Sequence, residues 1–115
     1  MNHIDISKHS LEEVESELSD SLKFINSKCG SVKHFAYPFG SYPFFNKAAM
    51  ELVYSVGYES CASAERGCYV EQKKIINKND LLLRRDHVVC AWDLNHILYF
   101  LISNSKSKKN LENPF

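Results

Sequence analysis

The segment His34-Phe35-Ala36-Tyr37-Pro38-Phe39-Gly40-Ser41-Tyr42 restricts the folds open to this chain more than any other. Phe35 and Tyr37 alternate as a buried strand requires. Pro38 lacks the amide that a ladder needs, and Gly40 permits a sharp turn or a close backbone approach. Helix-forming stretches lie on both sides. A strand that stops in a rigid Pro-aromatic-Gly turn and then feeds a helix is the unit from which α/β proteins build the floor of a site. An ordinary βα loop with packed aromatics accommodates the same residues.

The flanking stretches fix the order of elements. Ser10 and Glu13 form a capping box at the head of a helix expected over residues 10–27. Leu11, Val14, Leu18, Leu22 and Ile25 give it one apolar stripe, and Glu12, Glu13, Glu15, Glu17 and Asp20 crowd its first turns, where the helix dipole favours them. A short strand is expected over 32–37. A second helix begins at Pro43 or Asn46 and runs to Val56, with Gly57 as its C′ residue. Residues 58–64 read as a strand, 65–80 as a polar surface excursion, and 81–85 as a further strand extending towards Val88 and Val89. Residues 92–102, apolar at Trp92, Ile97, Leu98, Phe100 and Leu101, read as a helix covering a sheet. This alternation predicts an α/β fold of parallel strands and crossover helices. Three strands are too few for a doubly wound sheet or a closed barrel, so the chain reads as the C-terminal part of a larger α/β unit.

Composition narrows the function classes. The 115 residues are 44% hydrophobic, enough for one domain with a core. Fourteen basic and 14 acidic residues leave no net charge, which gives no reason to expect a nucleic-acid partner or an acidic membrane surface. Lys106, Lys108 and Lys109 belong to a polar tail over 103–115. Cys29, Cys61, Cys68 and Cys90 form no CxxC pair, and Cys61 and Cys90 read as small buried hydrophobes within strand-like segments. No signal peptide and no transmembrane-length run is present, so the localisation expected of a chain complete as given is cytoplasmic.

Phe35-Ala36-Tyr37-Pro38-Phe39-Gly40-Ser41-Tyr42 resembles the F-A-Y-P-[YF]-G-x-[YF] motif of one branch of the polysaccharide deacetylase family, the NodB-homology carbohydrate esterases. The stretch from His3 to Glu13 resembles the segment around the last histidine of that family's H-[ST]-x-x-H motif and the helix after it. Gly57-Tyr58-Glu59 resembles the family's G-Y before the next strand, and Leu83-Arg84-Arg85 its late L-x-R-I strand. The likeness spans residues 1–102. It implies a partial (β/α) barrel of the deacetylase type, lacking its N-terminal strands.

The resemblance also implies an activity: metal-dependent hydrolysis of N-acetyl groups on an amino-sugar polysaccharide or oligosaccharide. In the family, zinc or another divalent metal is held by one aspartate and two histidines, with a second aspartate as base. The T-F-D-D-G motif that carries both aspartates has no counterpart here, and His3 alone matches a metal ligand, so a partial site is implied. A metal that activates water needs several protein ligands and an open position, so the resemblance implies a metal-dependent deacetylase of which this chain alone is incomplete, expected to bind metal weakly or not at all and to show no appreciable activity. The backbone amide of Phe39 matches the family's oxyanion donor, and Ala36 stands where other branches carry an arginine. Tyr37, Pro38, Phe39 and Tyr42 are the candidate substrate-binding residues, with core packing the other role open to the tyrosines. His87, beside Asp86, is a candidate acid, against which stands a solvent-exposed turn histidine. His9, His34 and His96 read as surface or structural residues. A carbohydrate-binding or interaction module without catalysis, or a truncated remnant, is the alternative. An open first strand also makes a homo-oligomer, or pairing with a missing N-terminal portion, an expected way of covering the edge.

Overall fold

The computed structural model describes residues 2–67 and 82–106. The expected excursion over 65–80, apart from its first three residues, and Cys68 lie outside them, as does the tail beyond Lys106.

The first helix, α1 (Leu11–Cys29), starts where the capping box places it: the Ser10 hydroxyl accepts from the Glu13 amide at 3.3 Å, and the Glu13 carboxylate accepts from the Ser10 amide at 2.9 Å. Ahead of it, Asp5 caps a single 3-10 turn, Ile6–Lys8, that buries Ile6. Beyond α1, the Asn26 side chain accepts from the Val32 amide at 2.7 Å and leads the chain into β1 (His34–Ala36). A 3-10 turn over Tyr42–Phe44 follows, with Pro43 in its first turn. Asn46 then caps α2 (Lys47–Val56), whose end is closed by Gly57 in the left-handed region.

The strands β2 (Ser60–Ala62) and β3 (Leu82–Leu83) complete a parallel sheet of order β1-β2-β3, with His34 opposite Ser60 and Cys61 opposite Leu82. The core lies between this sheet and the two helices. Val14 and Leu18 of α1 meet Ala49, Met50 and Val53 of α2, and Tyr37, Phe45, Tyr58 and Cys61 close the cluster from the sheet side. The result is a small α/β domain with three helices and a three-stranded parallel sheet among the described residues.

Three expectations need correction. The strand after Leu81 does not reach Val89: β2 offers only three residues to pair with, and after the Arg85 amide donates to the Glu65 carbonyl the chain leaves the sheet. Cys90 is therefore exposed in a turn rather than buried in a strand, whereas Cys61 is fully buried. The last helix, α3 (Leu94–Ser105), starts two residues later than expected because Asp93 caps it, and it does not cover the sheet: none of its residues is buried. No helix among the described residues is long and apolar enough to cross a membrane.

Candidate functional site at the carboxyl end of the first strand

The Pro-aromatic-Gly segment forms a tight three-residue turn. The Gly40 amide donates to the Pro38 carbonyl at 2.6 Å, so Phe39 sits at the centre with φ of +59°, the one non-glycine residue with positive φ among those described. A γ-turn of this hand is strained, and strain of this kind persists only where the surroundings enforce it. Here the enforcement is visible on both sides. Gly40, with φ of +70°, accepts at its carbonyl oxygen from the Ala64 amide at 2.8 Å, tying the turn to the chain just past the end of β2. Its α-carbon approaches Ala64 so closely that a β-carbon would lie 2.5 Å from that of Ala64. On the other side Tyr37 is buried and stacks on Phe45 at 3.9 Å between ring centroids, with an edge contact to Phe35. The Tyr37 ring thus belongs to the core and anchors the turn from below.

Two consequences follow for the chemistry. The Phe39 side chain points outward, 53% exposed, while no group among the described residues accepts a hydrogen bond from its amide. The Phe39 ring also meets His3 edge-on at 4.8 Å and lies 5.2 Å from Phe44. The fold therefore brings the candidate metal ligand against the candidate oxyanion residue, although 36 positions separate them in the chain.

His3 is exposed and lines, with Asn2, Ile4 and Ile6, one wall of a cavity of about 320 Å³. The other walls are Val14, Glu17, Leu18 and Ser21 of α1 and Phe35, Ala36 and Pro38 of the strand and turn. The N-terminal wall is fastened by Glu17, whose carboxylate accepts from the Asn2 amide at 3.1 Å and from its side-chain amide at 2.8 Å. These bonds, the backbone one foremost, hold the Glu17 carboxyl below the ordinary glutamate range. The lining is mostly apolar with a polar rim at Asn2, His3, Glu17 and Ser21, the make-up of a small-molecule site.

The other sequence candidates lie apart from this cavity. Tyr42 is half-buried; its amide donates to Glu65 at 3.2 Å, and the Arg84 guanidinium lies 5.5 Å above its ring. His87 is exposed, its ring 6.5 Å from Trp92, and the neighbouring Asp86 accepts from Asn104. His9 pairs with Glu13 on the surface, His34 meets the Ser60 hydroxyl at 2.9 Å, and His96 packs against Trp92 and Phe100. Glu65 and Arg84 were not singled out by sequence. The signal available for them was positional: each is the first charged residue past the end of a parallel strand, where α/β proteins gather their binding groups.

Neither acid-base pair nor metal centre is assembled by these groups. Among the described residues no three His, Cys, Asp or Glu side chains converge, so the donor set does not fit the aspartate and two histidines that the resemblance implies. Burial, reinforced by the neighbouring Cys61, pushes the Tyr37 hydroxyl far above its ordinary range, so it holds its proton. Burial also raises the Cys61 thiol, leaving it inert as a nucleophile. The arrangement offers one free amide, an exposed aromatic platform and one imidazole. Comparison of the chain with family models, with curated proteins and with solved structures finds no match.

Proposed function

We propose that this chain carries the oxyanion side of a carbohydrate N-deacetylase site, acts as part of a complete domain on an N-acetylated amino-sugar polysaccharide, and is inactive alone. The observation that carries this reading is the contact of His3 with Phe39 beside the strained turn. In amide hydrolysis, attack of water on the acetyl carbonyl places negative charge on its oxygen. A fixed backbone donor such as the Phe39 amide stabilises that oxygen, and one such donor is worth roughly 10²–10³-fold in rate. Ordering of the strands by sequence, β1-β2-β3, is compatible with a segment of a barrel.

The decisive test is to read the in-frame codons ahead of Met1 for a Thr-Phe-Asp-Asp-Gly segment and a first histidine, and to assay the extended chain for acetate release from N-acetylglucosamine oligomers with zinc. Release by the extended chain and none by the 115 residues is expected. An extended chain carrying those residues that still releases nothing overturns the deacetylase reading. Stoichiometric, tight zinc binding by the 115 residues, with turnover lost in His3→Ala, overturns the part that assigns inactivity.

A second reading, a carbohydrate-binding module without catalysis, is favoured by the exposure of Phe39 next to Phe44, a platform on which a sugar ring face stacks. Titration with chito-oligomers separates the two: saturable binding without hydrolysis, lost in Phe39→Ala and Tyr42→Ala, supports the module.

A further inference from the structure

Seven of the ten exposed large hydrophobic side chains among the described residues fall between Val88 and Ile102. They do so because α3 is oriented against its own apolar pattern. Its half-buried positions are Ile97, Phe100 and Asn104, one face at spacings of three and four. Phe100 stacks on Trp92 at 5.3 Å and lies under the Arg66 guanidinium, while Asn104 donates to Asp86. The adjacent face, about a third of a turn round the helix, carries Leu94, Leu98, Leu101 and Ile102, spaced i, i+4, i+7 and i+8, with Tyr99 at its border. That spacing is the stripe a helix uses to pack on another apolar surface. Here it faces solvent, with Leu94 66% and Ile102 53% exposed.

We infer that this face of α3 is a self-association surface, and that its partner is the same face of a second copy of the chain. Three observations select that occupant. The helix contains no Asp, Glu, Lys or Arg, so two copies meet without like-charge repulsion and without a charge pattern calling for a complementary partner. A stripe continuous over two helical turns is its own complement when two helices pack antiparallel about a two-fold axis. Finally, the five exposed α3 side chains present on the order of 500 Å², near the upper limit for a monomer, and a symmetric pair removes about 1,000 Å² from water, the lower bound of a specific interface. Val88 and Val89, shortly before the helix start, are exposed as well.

The test uses the full chain in sedimentation velocity over a range of concentrations. Wild type is expected to move from one to two copies, and both Leu98→Glu and Leu98→Lys to weaken the association at least 100-fold while melting cooperatively with wild-type helix content. Mixing the two variants is expected to restore a one-to-one dimer, an effect that a merely structural Leu98 does not produce. A wild-type chain that stays monomeric at the highest soluble concentration overturns the inference. So does a Leu98→Glu chain that still dimerises, a mixture that fails to pair, or loss of cooperative melting in both variants, which would mean that the face is covered from within the chain.

Discussion

Replacing Gly40 with alanine should destabilise the domain far more than the same change at Gly57, and the difference comes from one backbone contact. Both residues have positive φ, +70° and +117°, so an L side chain at either is strained by about 1–2 kcal/mol. The space around them differs. At Gly57 a β-carbon would sit 3.8 Å from a methyl of Leu22, an ordinary contact. At Gly40 it would lie 2.5 Å from the Ala64 β-carbon and 2.6 Å from the Ala64 nitrogen, whose N–H bonds the Gly40 carbonyl. Neither atom belongs to a flexible side chain, so the turn and the end of β2 must separate. Overpacking of this kind adds about 1–3 kcal/mol, which brings Gly40→Ala to about 2–5 kcal/mol. For a chain of this length that corresponds to a melting temperature lower by roughly 10–20 °C, against roughly 5–10 °C for Gly57→Ala. Thermal unfolding followed by circular dichroism reads both. If Gly40→Ala melts within about 3 °C of Gly57→Ala, the close approach to Ala64 is not what holds the turn, and the enforcement argued for the Phe39 conformation fails with it.

Three further outcomes rest on the same packing and capping. Tyr37→Phe removes a buried hydroxyl that has no hydrogen bond of normal geometry, so it should be neutral or slightly stabilising in a urea titration; a loss above about 2 kcal/mol would reveal a bond the geometry does not show. Ser10→Ala should cost about 1 kcal/mol through loss of the capping box. The Glu13 carboxyl, bonded first by the Ser10 amide and then by its hydroxyl, and the Glu17 carboxyl, bonded by Asn2, both sit below the ordinary glutamate range. Such groups contribute stability above their unfolded value that is lost as pH falls through the folded one, so stability should decline on acidification below about pH 4, and less steeply in Ser10→Ala. A pH profile of melting identical in wild type and Ser10→Ala would contradict the assignment.

What the sequence made legible was local. The capping box and the Asn46 and Gly57 ends of α2 each depend on neighbours within four residues and lie where those residues put them, whereas the strand expected over 32–37 is confined to His34–Ala36, where β2 pairs with it. The length of β3 was not legible, because it is set by β2, whose three residues leave Arg84 and those after it little to pair with. The apolar stripe of α3 was readable as a stripe, but periodicity shows that an apolar face exists and not which body covers it. Pro38 and Gly40 announced a turn, yet the positive φ expected of a glycine falls on Phe39 as well. The meeting of His3 with Phe39 depends on the 3-10 turn Ile6–Lys8 packing against the turn Tyr42–Phe44, a tertiary fact that no local pattern encodes.

A backbone hydrogen-bond donor and a metal centre make different demands on a chain. A backbone donor needs geometry, and geometry here is supplied by residues that never touch a ligand. Tyr37 is held by its stack on Phe45, Gly40 by the closeness of Ala64, and the Ala64 amide by the Gly40 carbonyl. A metal centre instead needs specific side chains from separate elements converging on one point, and among the described residues no three do so: His3 touches the Phe39 ring, and Glu65 accepts from the Tyr42 amide. The turn is therefore formed by the domain's own core, independently of any ligand. On that reasoning the side chains most critical to the Phe39 amide are Tyr37 and Phe45 beneath it, which act as positioning residues through the core rather than as contacts to a sugar.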